Sequence, residues 1–324
     1  MDVMLFRSLG LVICTVGSFN LLAKPINEEI SAIEAFNVGE VLHRQFKDEQ
    51  ALPYLKYAAE QGLVASRFLY GVVHQSTLPI VRQQSESEDS ILQAADAGYL
   101  PALKWAYEHR HDAVEHDMWR YHYYNAIIDL GRVDAAQAFY LLADYFRDID
   151  VENYEYYLQQ AVKRDYPAAL VEQSQRLSRG QGPYLVPSVR IARTEQTYLR
   201  AAQTHDVAAM RSYVHWLENE HRFVEAFHWR EQALNAGDIL ALAQLGFIYA
   251  KPPRGYDFID VNLNKSNLLL EKYINTAGSD RFDAIYQKVQ RVHDNNIALC
   301  REEIIQCQNP LDGLPRQLNR RFVY

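Results

Sequence analysis

A chain of 324 residues with 48% hydrophobic and 23% charged residues, 14 Gly and 11 Pro lacks the biases of collagen-like, disordered or multi-spanning membrane proteins, and is longer than one ordinary domain unless it forms an elongated array. Its 33 Lys and Arg against 41 Asp and Glu, a formal net charge of −8, repel a phosphate backbone and argue against a nucleic-acid partner. Twenty-two Tyr beside so few Gly suit packed helices better than a turn-rich sandwich.

Residues 1–23 read as a secretory signal: Arg7 precedes an uncharged stretch from Ser8 to Ala23, and Ala23 stands before Lys24 and Pro25. The stretch is shorter than the ~20 apolar residues of a spanning helix and is weakened by Gly10, Gly17, Ser18 and Asn20. Cleavage after Ala23 is expected, with a cut after Ser18 as an alternative, and an uncleaved anchor or a buried helix as the competing readings. Cys14 lacks the small preceding residue of a lipoprotein signal, since Ile13 occupies that place. The mature chain is therefore expected to be periplasmic or secreted, with no integral membrane span after cleavage.

From residue 30 to 290 an internal repeat organises the chain. Short turns are expected at Gly62, Gly98, Gly131, Asp165, His205, Gly237 and Gly278, spaced by 36, 33, 34, 40, 32 and 41 residues. Four residues before these pivots stand Ala58, Ala94, Ile127, Ala161, Ala201, Ala233 and Ile274; four after stand Ser66, Ala102, Ala135, Ala169, Ala209, Ala241 and Phe282; eight before stand Tyr54, Ser90, Tyr123, Tyr157, Thr197, Trp229 and Leu270. A small residue one turn before a Gly places the Gly at a helix C-terminus in the left-handed conformation, which Asp165 and His205 also tolerate. A second small residue in the first turn of the next helix lets the two helices approach closely, while the aromatic fills the outer gap. The expected architecture is all-α: about seven antiparallel helical hairpins stacked in a right-handed α/α superhelical solenoid over residues 24–295, with residues 296–324 as a C-terminal cap and tail.

Between the repeat positions, SESED (85–89), GQGPYLVP (180–187) and KPPRGYDF (251–258) read as loops, which either form one binding edge or serve as solvated connections. The dense cluster EHRHDAVEHDMWRYHYY (108–124) would put His109, Asp112 and His116 on one face if it were one helix, a weak start for a divalent metal; His111, Glu115 and His122 point elsewhere, so neither a metal nor any cofactor is expected. No nucleophile motif, phosphate loop or H-E-x-x-H is present, and His215, Glu218, Glu220 and His221 read as a solvated helix end, so no enzyme is expected. Aromatics outside the repeat positions, Tyr121, Tyr124, Tyr154 and Tyr156, are the candidates for an exposed contact surface. The tail ends in Arg320, Arg321, Phe322 and Tyr324, a basic, aromatic tip that either docks on a partner or on the chain's own concave surface, or caps the last hydrophobic face. Of the three cysteines, Cys300 and Cys307 survive signal removal; on one straight helix they would be about 10.5 Å apart, beyond the ~7 Å a disulfide tolerates, so a bond demands a turn between them and the alternative is a pair of buried free thiols.

DEQALPYLKYAAEQG (48–62) and FVEAFHWREQALNAG (223–237) resemble the second helix of the Sel-one-like repeat family, and ALAQLGFIY (241–249) is similar to its first helix, through Ala241, Leu245, Gly246 and Tyr249. Gly39 and Gly71 fall at the position of Gly246; Tyr107, Tyr140, Ser174 and Val214 replace it elsewhere, so the middle repeats are degenerate and tetratricopeptide-like. The resemblance implies a non-catalytic scaffold or adaptor in a bacterial cell-envelope assembly. The net negative charge points to a protein partner with a basic patch. The alternative it implies is an envelope enzyme or cell-wall ligand-binding protein of the cysteine-rich branch, whose disulfide per repeat this chain lacks.

Overall fold

The computed structural model describes residues 30–77 and 86–301. The chain divides into two units, Met1–Ile30 and Ser31–Tyr324; the proposed signal segment and the tail residues Arg320, Arg321, Phe322 and Tyr324 lie outside the described residues. Within the second unit the described residues form α1 Ala32–Arg44, α2 Asp48–Glu60, α3 Val64–Thr77, α4 Glu86–Asp96, α5 Leu100–His109, α6 Ala113–Leu130, α7 Ala135–Phe146, α8 Val151–Val162, α9 Pro167–Ser178, α10 Pro187–Gln203, α11 Val207–Asn219, α12 Phe223–Asn235, α13 Ile239–Ala250, α14 Leu263–Thr276 and α15 Asp283–Arg301, with no strand among them. Each odd-numbered helix up to α13 packs on the next even one, giving seven hairpins, and α15 packs on α14. The all-α hairpin array expected from the repeat is what is observed.

All seven pivots fall in the turns between hairpins, within three residues of the end of the preceding helix. Gly62, Gly98, Asp165, His205 and Gly237 have positive φ. At four of them, His205 excepted, the Ala one turn earlier gives its carbonyl to the amide just past the pivot, as in Leu63 N to Ala58 O at 3.0 Å and Asp238 N to Ala233 O at 2.9 Å, which closes the helix end. Gly131 departs from the expectation: its φ is −57° and it continues right-handed off α6. Gly278 also avoids positive φ; its role is close approach, described below. Of the helices that follow, α7, α11 and α13 begin on side-chain caps, Asp134, Asp206 and Asp238 accepting from their first amides, and Asp150 caps α8 within its hairpin in the same way; α5 and α9 start on Tyr99 and Tyr166 without a side-chain cap. The small residues at the repeat positions are buried, among them Ala58, Ala94, Ala161, Ala201, Ser66, Ala102, Ala169 and Ala241, so the core is a series of clusters running from one hairpin to the next.

One set of contacts breaks this nearest-neighbour rule. The α1–α2 turn meets the α14–α15 turn: Gly278 N donates to Gln45 O (2.7 Å), Asp280 N to Phe46 O (3.3 Å), and Glu49 N to Asp280 Oδ2 (2.9 Å). Buried Asp48 forms an ion pair with Arg281 Nε at 3.1 Å through one oxygen and lies 2.7 Å from His43 Nδ1 through the other. Phe46 meets Phe282 edge-on, with centroids 4.8 Å apart, and packs against the cluster formed by α12 to α15. Phe46 is at φ +63°, a conformation costing a bulky residue about 1–2 kcal/mol, which these contacts offset. The first and last hairpins are thereby latched together.

Candidate functional site

A cleft of about 920 Å³ lies between α7, α8, α9 and α11. Its centre is Glu172 on α9. Arg147, just past the end of α7, grips it with both terminal nitrogens, Nη1 to Oε1 at 2.6 Å and Nη2 to Oε2 at 3.0 Å, and Tyr154 OH of α8 donates to Oε1 at 2.5 Å. Arg147 also reaches Asp144 Oδ1 at 3.3 Å, whose other oxygen accepts from Lys104 Nζ of α5 at 2.5 Å. Arg176, one turn beyond Glu172, pairs with Glu155 on α8. Two guanidinium groups lie over the Tyr154 ring, Arg147 at 5.2 Å and Arg176 at 5.0 Å from its centroid, within cation–π range.

Burial alone would push the Glu172 pKa up, but hydrogen bonds from Arg147 and Tyr154 together with the Arg147 charge outweigh it, and the net shift is down. Burial first, and the nearby Glu172 second, push Tyr154 and Tyr140 up to about 12. At neutral pH the cleft thus holds an ionised Glu172 beside the neutral phenols of Tyr140 and Tyr154, and a third raised phenol, Tyr166, lines it too. Because the folded pKa of Glu172 is lowered, its stabilising contribution is complete above the ordinary glutamate value of about 4.3 and is lost as pH falls through the lower folded value. Glu172→Gln is expected to lower the thermal midpoint at neutral pH, and the gap from wild type should close as the pH falls below the ordinary glutamate range. A gap that stays constant with pH in parallel melts would contradict the assignment.

The structure redistributes the residues singled out in the sequence. Tyr121 and Tyr156 are exposed, as expected. Tyr154 is a correction: it is 8% exposed, held in the cleft wall by the two arginines. Tyr124 is also corrected to half-buried, its ring packing on Tyr145 at 5.4 Å and on Phe146. His109, Asp112 and His116 do not share one helix face, because α5 ends at His109 and α6 starts at Ala113. His109 stacks on Trp105 at 4.4 Å and Asp112 caps α6 through Val114 N and Glu115 N. Glu218 is no free helix-end acid: it accepts from Arg230 Nη2 at 2.9 Å and from Tyr256 OH at 2.5 Å, which pins the 251–258 loop onto α11 and α12. Cys300, in the last turn of α15, is disulfide-bonded; Cys307 lies outside the described residues.

Arg147, Glu172 and Arg176 escaped the sequence reading. The available clue, Glu172 and Arg176 at i and i+4 on α9, suggests a local pair, whereas each is bound 21 to 25 residues away in the neighbouring hairpin.

No family model and no curated protein matches the chain. Among solved structures it is similar to the Sel1 repeat protein from Oxalobacter formigenes, at 18% identity and a TM-score of 0.42 over 84% of this chain and 78% of that one. It is also similar to a protective antigen of uropathogenic Escherichia coli strains displaying an SLR fold, at 15% identity and a TM-score of 0.36, over 84% of this chain and 61% of the antigen's. The class of protein follows from the chain's own helices: a helical-hairpin repeat array. No helix among the described residues is long and apolar enough to cross a membrane.

Proposed function

We propose that this chain is an exported, non-catalytic scaffold of the bacterial cell envelope that binds a segment of another protein in the cleft between α7, α8, α9 and α11. The observation that carries the reading is the state of the ionisable groups lining the cleft. Glu172 is clamped by Arg147 and Tyr154, Glu155 is paired with Arg176, and Asp206 caps α11 through Ala209 N. A general acid or base works best with a pKa near the operating pH; Glu172 is shifted away from it and the two phenols lie far above it. What remains for a ligand is contact area and exposed polar groups: Val151 and Arg179 at the rim, Gln175, Gln181 and Ser212 along the walls. That inventory suits summed contacts with a polypeptide rather than one reacting centre. Export rests on the N-terminal layout of Arg7, the uncharged stretch and Ala23, and the net charge of −8 favours a partner with a basic patch.

The test is native co-purification from the source cell followed by mass spectrometry, with the double variant Val151→Ser, Gln181→Lys, which removes apolar contact and opposes a basic partner. Both positions are exposed, so the thermal midpoint should move by under about 2 °C while recovery of a specific envelope protein falls at least tenfold. Recovery unchanged in the variant, or turnover of a small cell-wall substrate by the purified protein, would refute the proposal.

A further inference from the structure

The outer face of α6 carries an apolar stripe that nothing in the described structure covers. α6 is 18 residues long and buries Trp119, Tyr123 and Ile127 against its neighbours. On the opposite side Val114, Met118, Tyr121 and Ile128 are 80%, 43%, 67% and 42% exposed. With Asn125 they stand at i, i+4, i+7, i+11 and i+14, alternating steps of four and three, which is the spacing of a two-helix seam. Ordinary surface helices of an array carry one apolar face; α6 carries two.

Asn125 occupies the polar place within the stripe. Its amide nitrogen donates to Tyr121 O at 2.9 Å, leaving the side-chain carbonyl as an acceptor in an otherwise apolar row. One polar residue at such a position fixes register and partner number in paired helices. The flanks on α6 are predominantly acidic: Glu115, Asp117 and Asp129 stand against Arg132, which pairs with Asp129, while Arg110, ahead of the helix, pairs with Glu115. Arg120 turns inward to Tyr145 OH at 2.8 Å. A second copy of this face would set more carboxylates than guanidinium groups along the seam, so charge complementarity selects a different occupant.

We infer that the outer face of α6 docks an amphipathic helix of another protein, one whose apolar seam is flanked by Lys or Arg. This surface is separate from the cleft around Glu172, and the chain would then join two partners.

The probe is a synthetic 21-residue helix with Leu at the seam positions and Lys at the flanking ones; the controls carry Glu in place of Lys, or Ser in place of Leu. Binding to the full chain is read by fluorescence anisotropy at two salt concentrations. The Leu/Lys helix should bind and both controls should lose at least tenfold. Met118→Ser, Tyr121→Ser, which removes apolar area and keeps every charge, should weaken it at least tenfold. Glu115→Lys, Asp129→Lys should weaken it similarly and reduce the salt dependence. Val151→Ser, Gln181→Lys in the cleft should leave it unchanged, which separates this surface from the function proposed above. Equal affinity for wild type and both α6 variants overturns the inference. So does a sedimenting dimer of the wild type that Met118→Ser, Tyr121→Ser dissociates, since a second copy would then be the occupant. Should the serine variant unfold, the lysine variant decides alone, because its substitutions lie on exposed side chains.

Discussion

Gly278→Ala is expected to lower the thermal midpoint by about 5–10 °C and to expand the protein in solution without loss of helix. A Cβ at this position would stand 2.4 Å from Phe46 O and 2.9 Å from Phe46 C. Both are backbone atoms, in a turn already held at positive φ, so neither side has a flexible end that could move aside. The two turns must part. With them go the amide bonds from Gly278 and Asp280 and the edge contact of Phe46 on Phe282. Asp48, buried in the closed form, is then separated from half-exposed Arg281, and the loss of that ion pair adds to the cost. Asp48→Ala should act in the same direction by a different route, through loss of the carboxylate rather than steric exclusion. The radius of gyration from small-angle scattering is the diagnostic measurement, because far-UV circular dichroism should hardly change when only a latch between distant hairpins opens. Scattering curves identical to wild type, with a midpoint within about 1 °C, would show that the latch contributes nothing in solution.

A larger local effect is expected at Gly71→Ala. Gly39, Gly71 and Gly246 stand where a first helix crosses its hairpin partner, and an added Cβ would meet Leu55, Ile91 and Leu270 at 2.7, 2.6 and 2.4 Å respectively. At Gly71 the carbonyl of Ser87 is also 2.7 Å away, so rotation of the Ile91 side chain cannot relieve the clash. Overpacking of a close helix crossing costs about 1–3 kcal/mol and occasionally more, and this site belongs at the upper end. Gly98→Ala provides the contrast: nothing lies within 4 Å of its Cβ and φ is +80°, so only the left-handed backbone penalty of about 1–2 kcal/mol applies. Chemical denaturation of the two variants should rank Gly71→Ala as the more destabilised. In the double variant with Ile91→Ala the losses should fall short of additive, since the cavity left by Ile91 receives part of the new Cβ. The reverse order, or full additivity, would mean that the crossing at Gly71 is looser than the structure has it.

The repeat was legible in the sequence because its determinants are local. A small residue, a pivot tolerant of positive φ and a second small residue lie within two helical turns of each other, so all seven hairpin boundaries could be placed without long-range information. The same logic shows where reading stopped. Tyr154 was set among the exposed aromatics because Tyr157, not Tyr154, holds the repeat position in that helix. Its burial depends on Arg147 from the preceding helix and Arg176 from the following one, and no spacing within α8 reports them. Likewise the run of histidines and acids would share one face only on a continuous helix, whereas Asp112 ends the run by capping a new one, since its side chain satisfies the free amides of a helix start better than it would serve mid-helix.

By itself, then, the sequence determined the element type, the hairpin pairing and the turn chemistry, all set by interactions among residues a few positions apart. Only the tertiary structure decided that Glu172 belongs to Arg147, that α6 is left with a second apolar face, and that Gly278 meets Phe46. Those pairings depend on how each hairpin is rotated against the next. That rotation comes from side-chain packing between helices, and its accumulation over seven hairpins is written at no single position of the chain.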